Sequence, residues 1–518
     1  MPGEIPMTKH QIPNKFETSM TKRDVASRHL AIGICSVVGS LVLGHWSFAA
    51  EPPPNLVLIM TDNHGPWTLG CYGNRDVRTP QIDRLAAEGT LFTHAYSSNA
   101  VCSPTRATFL TGLIPSQHGV HSFLAGGAPQ TGAGSYSTIG EFRSLGQILK
   151  EAGYACGLSG KWHLGANIAP QAGFDDLWIT KPAGSSAEFY DQEVIENGVV
   201  RKEPQYLTDL WTERGVQFIE KHHARPFFLF LAYNGPYGLG SLLLNEARNR
   251  HRDYYADKLL PSFPREAPDA RLFNNRDYIN NPTSIRRYAA EISGVDDGVG
   301  RVLETLARLK LDEKTLVVFT ADQGLAGGQQ GFWGMGDHTR PLTAFDWTMH
   351  IPLIFRRPQS VAAGKRSDLL VSNYDFLLTV LNALGIAELE ARRERERPES
   401  KSVPQSPGRD FSAALRGEPP AAWDDVMFFE FETVRAVRTK QAKLILRHPD
   451  GPHELYDLAA DPEERRNLYD DAAHAELREA LRTRLQAFFT KYAAPEFDLW
   501  RGGRSKAPLH SQKAAAGK

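Results

Sequence analysis

Asn55-Leu56-Val57-Leu58-Ile59-Met60-Thr61 is a short, almost wholly apolar stretch near the start of the chain. A run of this length without polar alternation is typical of a strand that is buried on both faces of a parallel sheet. Leu316 to Thr320 is a second run of this kind, and Tyr154 to Leu158 and Phe227 to Ala232 resemble it. These runs predict several strands of one buried sheet.

Helical patterns separate the strand runs. Pro80 to Glu88 predicts a helix, and Phe142 begins the apolar face of another that ends at Gly153. Apolar residues recur at helical spacing from Ile292 to Leu306, and again from Phe376 to Leu384. Alternation of strand and helix predicts an α/β fold, in which helices sandwich a large, mostly parallel sheet.

Oxygen-bearing side chains follow two of the strand runs. Asp62 and Asn63 come after the first, and Asp322 and Gln323 after the run that ends near Thr320. Ligands collect beyond the carboxyl ends of parallel strands, so these side chains are expected at one crevice. Such donors suit Ca²⁺ or Mg²⁺ better than zinc. The alternative is that both aspartates only cap the following helices.

Cys102-Ser103-Pro104-Thr105-Arg106 predicts the start of a short helix that stops at Gly112. Ser103 is expected to cap this helix and Pro104 to occupy its first position. Cys102 would then lie at the positive end of the helix, where backbone N–H groups favour a sulfate or phosphate. The alternative is an ordinary buried cysteine with a solvated Arg106.

Gly160-Lys161-Trp162-His163-Leu164-Gly165 directly follows the strand run that ends at Leu158. Residues two apart point to the same side of an extended chain, so Lys161 and His163 are expected to face the crevice together. A lone histidine at such a position is more often structural.

Taken together, these segments resemble the sulfatases that depend on formylglycine, the type I family. In that family a dedicated formylglycine-generating enzyme oxidises the cysteine of the Cys102 motif, and the hydrated aldehyde attacks sulfur. The tail segment Glu454 to Leu458, with Asn467 and Leu468, resembles the family's carboxyl-terminal signature. The likeness runs from about Asn55 to about Asn467.

The resemblance implies an alkaline-phosphatase/sulfatase-like fold with a smaller carboxyl-terminal α+β subdomain. It also implies catalytic roles for Cys102, Arg106, Lys161 and His163, the last as a base that titrates near neutral pH. The implied metal ligands are Asp62, Asn63, Cys102, Asp322 and Gln323, holding Ca²⁺ or Mg²⁺. The family usually has aspartate in place of Asn63, and asparagine or histidine in place of Gln323.

The sequence departs from the family at two further positions. Tyr237 stands where a histidine is expected, and Met335 stands where a lysine is expected. Tyr237, His338 and Arg340 are the candidates for replacing the lost substrate-binding groups.

The function implied is hydrolysis of a sulfuric ester, either a sulfated carbohydrate or an aryl sulfate. One alternative is a phosphate or phosphonate monoester hydrolase of the same superfamily. Another is a homologue that binds sulfated glycans without cleaving them. Substrate choice is expected in two loops, 122–137 and 238–285; the second carries Arg248, Arg250, His251, Arg252, Tyr254 and Tyr255.

The ends of the chain predict export and a second domain. Residues 1–49 have the basic and apolar regions of a cleaved signal peptide, which predicts a periplasmic or secreted protein without a stable membrane span; the alternative is a single membrane anchor. The catalytic domain is expected at 50–390, a linker or loop at 391–409, the carboxyl-terminal subdomain at 410–500 and a disordered tail at 501–518.

Composition argues against a nucleic-acid partner and leaves a single disulfide open. A net charge of −1 over 518 residues and a pI near 7.0 give no sign of a nucleic-acid surface. With Cys35 in the signal segment and Cys102 modified, only Cys71 and Cys156 remain, so a disulfide is permitted but not indicated.

Overall fold

A computed structural model of the chain describes residues 52–184, 188–387 and 404–510. The predicted signal segment therefore lies outside the described residues, as do 391–403 of the predicted linker and 511–518 of the tail. Over the described ranges, the helices are all too short or too polar to cross a lipid bilayer.

The described strands, in chain order, are β1 Asn55–Asp62, β2 Thr90–Tyr96, β3 Ala155–Gly160, β4 Leu177–Thr180, β5 Gln192–Glu196, β6 Val199–Glu203, β7 Phe227–Pro236, β8 Thr315–Ala321, β9 Ala326–Gly327, β10 Trp333–Gly334, β11 Leu353–Arg356, β12 Lys365–Ser372, β13 Val426–Phe431, β14 Val434–Thr439, β15 Ala442–Arg447 and β16 Glu454–Asp457.

The described α-helices are α1 Pro80–Ala87, α2 Cys102–Thr111, α3 Pro115–His118, α4 Leu145–Glu151, α5 Leu207–His222, α6 Arg252–Tyr255, α7 Pro282–Arg308, α8 Asp346–Met349, α9 Phe376–Ala383, α10 Ser412–Leu415 and α11 Ala475–Tyr492. Short 3-10 turns connect several of them.

Ten strands form one large sheet in the order β12-β2-β11-β8-β1-β7-β3-β4-β5-β6. The central strands β8, β1, β7, β3 and β4 are parallel, whereas β11, β5 and β6 pair antiparallel to their neighbours. The predicted large, mostly parallel sheet is confirmed, with β1 at its centre.

Both faces of β1 are buried, which explains its apolar sequence. Leu56, Leu58 and Met60 belong to one hydrophobic core, and Val57 and Ile59 belong to the core on the other side of the sheet. Side chains alternate between the faces of a strand, so a strand covered on both sides must be apolar throughout.

A second, antiparallel sheet has the order β13-β14-β15-β16, and α11 packs on it through Leu481, Leu485 and Phe489. The predicted smaller carboxyl-terminal subdomain is confirmed. β16 was expected only as a family signature, because four residues are too few to show strand periodicity.

One predicted helix start was wrong, and two other features add to the predictions. α4 begins at Leu145, so Phe142 lies outside it. α7 begins at Pro282, ahead of the apolar pattern, because the Asn281 side chain caps it by accepting from two backbone N–H groups. Cys71 and Cys156 are both free thiols.

The described ends of the predicted linker and tail contact the rest of the chain. Arg409 forms an ion pair of 2.9 Å with the buried Asp375. Lys506 donates to the carbonyl of Thr138 at 2.9 Å, and His510 stacks on Phe123 with ring centroids 4.1 Å apart. These contacts hold residues 506 and 510 against the segment around Phe123 and Thr138.

Two glycines beside β3 provide a test of backbone constraint. Gly160 has φ +120°, and a Cβ there would lie 1.9 Å from the carbonyl oxygen of Ala232 in β7. Gly153 also has positive φ, at +92°, but a Cβ there would meet nothing within 4 Å.

We therefore expect Gly160→Ala to lower the free energy of unfolding by about 3 kcal/mol or more, because β3 and β7 must separate. Gly153→Ala should cost only about 1 kcal/mol, the strain of the backbone alone. Urea denaturation measures both. Equal losses would contradict the close approach of β3 to β7.

Candidate active site

Parallel pairing of β1 with β8 brings Asp62 and Asp322 together. Thr61 is in register with Ala321, so the residue after each lies at the same edge of the sheet. Both aspartates are fully buried, and Asp322 Oδ1 accepts the backbone N–H of Asn63 at 3.2 Å. The two carboxylates are thus side by side, as predicted.

Two buried cations neutralise these carboxylates. Lys161 Nζ lies 2.5 Å from Asp62 Oδ2, and the Arg106 guanidinium contacts Asp322 Oδ2 at 2.8 Å. Arg106 also donates to the backbone carbonyl of Lys161 at 2.7 Å. A buried carboxylate costs several kcal/mol unless it is paired, so the two ion pairs are conditions for burying this cluster. Arg106 is therefore not solvated.

Cys102 lies beside the carboxylates at the start of α2. Its Sγ is 3.3 Å from Asp62 Oδ1, and the ligand atoms of Cys102, Asp62 and Asp322 all lie within 4.8 Å of one another. Gln323 Nε2 is also 3.3 Å from Sγ. The sequence motif and the two strand ends therefore meet at one place.

The start of α2 differs from the prediction. The helix begins at Cys102 itself with Val101 as its cap residue, so Ser103 does not cap it. The Ser103 hydroxyl instead accepts the backbone N–H of Leu124 at 3.0 Å, which ties the 122–137 loop to the helix. The predicted end at Gly112 is confirmed, with φ +69°.

The oxygen donors around Cys102 fit a hard divalent cation. Asn63 and Gln323 are fully buried beside the two aspartates, and the Asn63 amide nitrogen has no hydrogen-bond partner among the described residues. The Gln323 amide nitrogen faces Asn63 Oδ1. Because amide oxygen and nitrogen are assigned from their surroundings, a cation at the centre would turn both oxygens inward.

Ionisation in the cluster also favours a cation. Burial, and next the neighbouring Asp62 carboxylate, raises the pKa of Asp322 to about 6. The same two causes raise the pKa of the Cys102 thiol far above its usual range. The two carboxylates therefore repel each other inside the protein although each has a cationic partner, and a divalent cation between them would relieve that repulsion.

His163 is held as a neutral imidazole. Nε2 lies 2.8 Å from the carbonyl oxygen of Leu124, which only accepts, so Nε2 carries the proton. Nδ1 has no partner among the described residues. Burial, and next the charge of Lys161, holds the pKa of His163 well below its usual value. An unprotonated Nδ1 is therefore available to accept a proton.

The local backbone differs from the expected extended chain. His163 has φ 62°, in the left-handed region, so it does not follow Lys161 along a strand. Lys161 reaches Asp62, and His163 lines a cleft together with Cys102.

This cleft, hereafter the Cys102 cleft, has a volume of about 360 Å³. Of the candidate substrate-binding residues, Tyr237 and His338 line it and Arg340 does not. Arg340 instead donates to the carbonyls of Asp337 and Thr339 and lies over the Phe273 ring. Met335 also lines the cleft, with its sulfur 3.2 Å from Gln323 Nε2.

The basic residues of the 238–285 loop are engaged elsewhere. Arg250 and His251 pair with Asp297 of α7, at 2.7 and 2.8 Å, and Arg248 pairs with Asp191 at 3.2 Å. None of these side chains lines the Cys102 cleft. These contacts favour the interpretation that the three side chains are solvated or paired surface charges over the interpretation that they recognise sulfate. Asn274 and Asn275 of the same loop do line the cleft.

Sequence reasoning missed three groups at the site: the Leu124 carbonyl that sets the His163 tautomer, the Asn99 side chain that accepts the Val101 N–H at 2.9 Å, and the Asp337 carboxylate that lines the cleft. A backbone carbonyl has no sequence signal. Asp337 lies within the segment already singled out around Met335, so its acidic character was the available clue.

A family model described as Sulfatase matches residues 54–386, and one described as N-sulphoglucosamine sulphohydrolase, C-terminal, matches residues 340–491. The N-acetylglucosamine-6-O-sulfatase of Bacteroides thetaiotaomicron is 24% identical over 85% of this chain and 87% of its own length. The N-acetylgalactosamine-6-sulfatase of Rattus norvegicus is 31% identical over 70% of this chain and 67% of its own length.

Among solved structures, one in complex with its substrate D-glucosamine-2-N,6-O-disulfate superposes with a TM-score of 0.65 at 23% identity. The match covers 85% of this chain and 98% of that one. At this identity the likeness shows the fold.

The pairing of Arg106 with Asp322 provides a stability test. Lysine cannot contact Asp322 through two nitrogens and also donate to the Lys161 carbonyl. We expect Arg106→Lys to lower the free energy of unfolding by about 3 kcal/mol, measured by urea denaturation with a chelator present. Arg225→Lys, which alters a half-exposed pair with Asp176, is the control and should change it by about 0.5 kcal/mol or less. Equal losses of unfolding free energy in the two variants would show that the buried Arg106–Asp322 pair is no more stabilising than the half-exposed pair.

Proposed function

This chain belongs to the sulfatase family, and from that premise we propose that it removes sulfate from a sulfated carbohydrate, with the modified side chain of residue 102 as nucleophile. The observation that supports the proposal is the meeting of Cys102, Asp62 and Asp322 within 4.8 Å at the end of a cleft. The two strand ends and the cysteine motif come from distant parts of the chain, and only a site that uses them together accounts for their burial.

Cys102 is the residue to be modified. Burial raises the pKa of its thiol, so the unmodified side chain is protonated and is a weak nucleophile. Oxidation to formylglycine by a formylglycine-generating enzyme supplies a hydrated aldehyde whose hydroxyl attacks sulfur. Because Cys102 is buried in the folded chain, the modifying enzyme acts before folding is complete.

Asp62, Asn63, Asp322 and Gln323 hold a divalent cation next to residue 102, with Ca²⁺ preferred and Mg²⁺ the alternative. When bound, the cation supplies Lewis-acid stabilisation of negative charge on sulfate oxygens. Asn63 and Gln323 contribute amide oxygens where the family usually has a further aspartate and an asparagine or histidine, so this site holds its cation with one formal charge fewer.

The remaining residues hold charge and move protons. Arg106 and Lys161 keep Asp62 and Asp322 ionised and lower the negative charge that the transferred group meets. His163 accepts, at Nδ1, a proton from the second hydroxyl of the hydrated residue 102, which lets sulfate leave. Its neutral state and fixed tautomer suit it to this role.

The substrate is a sulfated carbohydrate. Relatives that are named as sulfatases of N-acetylglucosamine and N-acetylgalactosamine support this substrate class. The Cys102 cleft presents Phe123, Asn274 and Asn275, an aromatic ring and two amides, which are groups that contact the faces and hydroxyls of sugars.

Two alternative functions predict different results in the same assays. A phosphate or phosphonate monoester hydrolase would turn over an aryl phosphate faster than the matching aryl sulfate. A binding protein for sulfated glycans would hydrolyse neither ester, yet would bind the glycan. We also propose that residues 1–49 direct export to the periplasm or the medium.

We expect Cys102→Ala to abolish sulfate ester hydrolysis while leaving the unfolding midpoint nearly unchanged, because only the nucleophile is lost. Turnover of an aryl sulfate and thermal unfolding check this for protein made together with the modifying enzyme. Mass spectrometry of the peptide that contains position 102 should show an aldehyde in place of the thiol. Cys71→Ala, at a partly buried free thiol, should keep turnover within about twofold. Full activity of Cys102→Ala would show that residue 102 is not the nucleophile.

We expect Ca²⁺ to raise the melting temperature of the inactive Cys102→Ala protein, since a ligand at about 100 times its Kd adds about 2.7 kcal/mol of stability. Calorimetry with and without chelator measures the shift. Asp322→Asn should greatly reduce it by removing a ligand, whereas Asp176→Asn, at a surface pair, should not. A shift that is the same in both variants would place the cation elsewhere.

A further inference from the structure

We propose that His338 is the general acid that protonates the departing alcohol oxygen, and that Asp337 is its positioning residue. This inference rests on the proposed function, because it assigns a proton donor to the same sulfate ester hydrolysis. Tyr237 and Met335 line the same cleft, and neither a buried phenol nor a thioether readily gives a proton to a departing alkoxide.

His338 lies in the correct cleft. Its ring lines the Cys102 cleft, and its backbone N–H donates to the carbonyl of Met335, the residue whose sulfur contacts Gln323. Gln323 in turn lies 3.3 Å from Cys102 Sγ. His338 is therefore connected to residue 102 through Met335 and Gln323, and both residues line the same cleft.

The orientation of the ring leaves one nitrogen for a ligand. Nδ1 lies 2.8 Å from Asp337 Oδ1 and 3.2 Å from the backbone nitrogen of Met335. When the ring is neutral, Nδ1 accepts from the Met335 N–H and Nε2 carries the proton; when it is cationic, Nδ1–H faces Asp337. In both forms Nε2 is a donor.

The ring is also held in place. A Cβ added at Gly334 would lie 2.8 Å from the ring, so the backbone of β10 packs directly against it. Asp337 and His338 side chains are only 11% and 12% exposed, which keeps their charge interaction strong.

The other possible proton donors in the cleft and at its base are already paired or too weak. Lys161 is paired with Asp62, and the Nε2 proton of His163 is donated to the Leu124 carbonyl. Tyr237 is a phenol, and burial raises its pKa well above the usual value. None of these is a suitable acid for an alkoxide that leaves.

The proton balance of the step is as follows. The bond between sulfur and the ester oxygen breaks, and the oxygen keeps the electron pair. The hydroxyl of residue 102 forms its bond to sulfur and gives up its own proton to water in the cleft. The Nε2 proton of cationic His338 passes to the departing oxygen. Immediately after the transfer the ring is neutral with its remaining proton on Nδ1, which lies beside Asp337, and a proton taken from solvent at Nε2 then regenerates the cation.

The test compares two esters that differ in leaving group. For 4-nitrophenyl sulfate the departing phenolate is stable and needs little protonation, whereas for a hexose 6-sulfate the alkoxide needs a proton. We expect His338→Gln to lower kcat/KM for the sugar ester by about 100-fold or more and to keep the aryl ester within about threefold. Asp337→Asn should lower kcat/KM for the sugar ester by a smaller factor and should also spare the aryl ester, because it weakens the acid without removing it.

His474→Gln is the matched control, since it alters a histidine–aspartate pair with Asp471 at the start of α11, far along the chain from the cleft. It should change neither ester. Equal losses for both esters in His338→Gln would overturn the inference and indicate a role in sulfate binding or folding; no loss for either would also overturn it. If the unaltered enzyme hydrolyses neither ester, the proposed function itself fails, which is a distinct outcome.

Discussion

The burial of two adjacent carboxylates, Asp62 and Asp322, is the constraint on which the site depends. Parallel pairing of β1 with β8 places them at one sheet edge, and the low-dielectric interior then requires compensating charge. Lys161 and Arg106 supply it, one from the end of β3 and one from α2. The ion pairs thereby fix three separate segments around one point, which is where Cys102 lies.

The carboxyl-terminal subdomain also shapes this point. The backbone of Glu430 in β13 exchanges hydrogen bonds with the loop before α2: its N–H donates to Ser98 and its carbonyl accepts from Asn99 at 2.6 Å. Asn99 in turn accepts the Val101 N–H, and Arg435 holds the Glu430 carboxylate at 2.6 Å. The antiparallel sheet therefore also fixes the backbone just before α2, and with it the position of Cys102.

The cleft has a different charge balance from the surface around it. Arg248 and Arg250 of the 238–285 loop are paired with Asp191, with Asp209 of α5 and with Asp297 of α7, and neither side chain lines the Cys102 cleft. Over the described part of the chain, no lysine or arginine lines the Cys102 cleft, and the positive groups at its base are already paired. In the function we propose, recognition of the sulfate then depends on the proposed cation site, and His338 and Asp337 would lie on the leaving-group side.

The apolar runs of β1 and β8, the polar residues after them, the Cys102 motif and the Lys161–His163 segment were all readable in the sequence. Each is a local pattern with a local physical cause: strands buried on both faces are apolar, and ligands follow their carboxyl ends. Only the tertiary structure decided that Ser103 ties a loop instead of capping α2 and that Arg340 lies outside the cleft. It also decided that His163 is neutral, because burial and the charge of Lys161 disfavour its cation, and that Arg250 is paired with Asp297. These outcomes depend on partners far away in the chain, because hydrogen bonds and ion pairs form between whichever groups folding brings within reach.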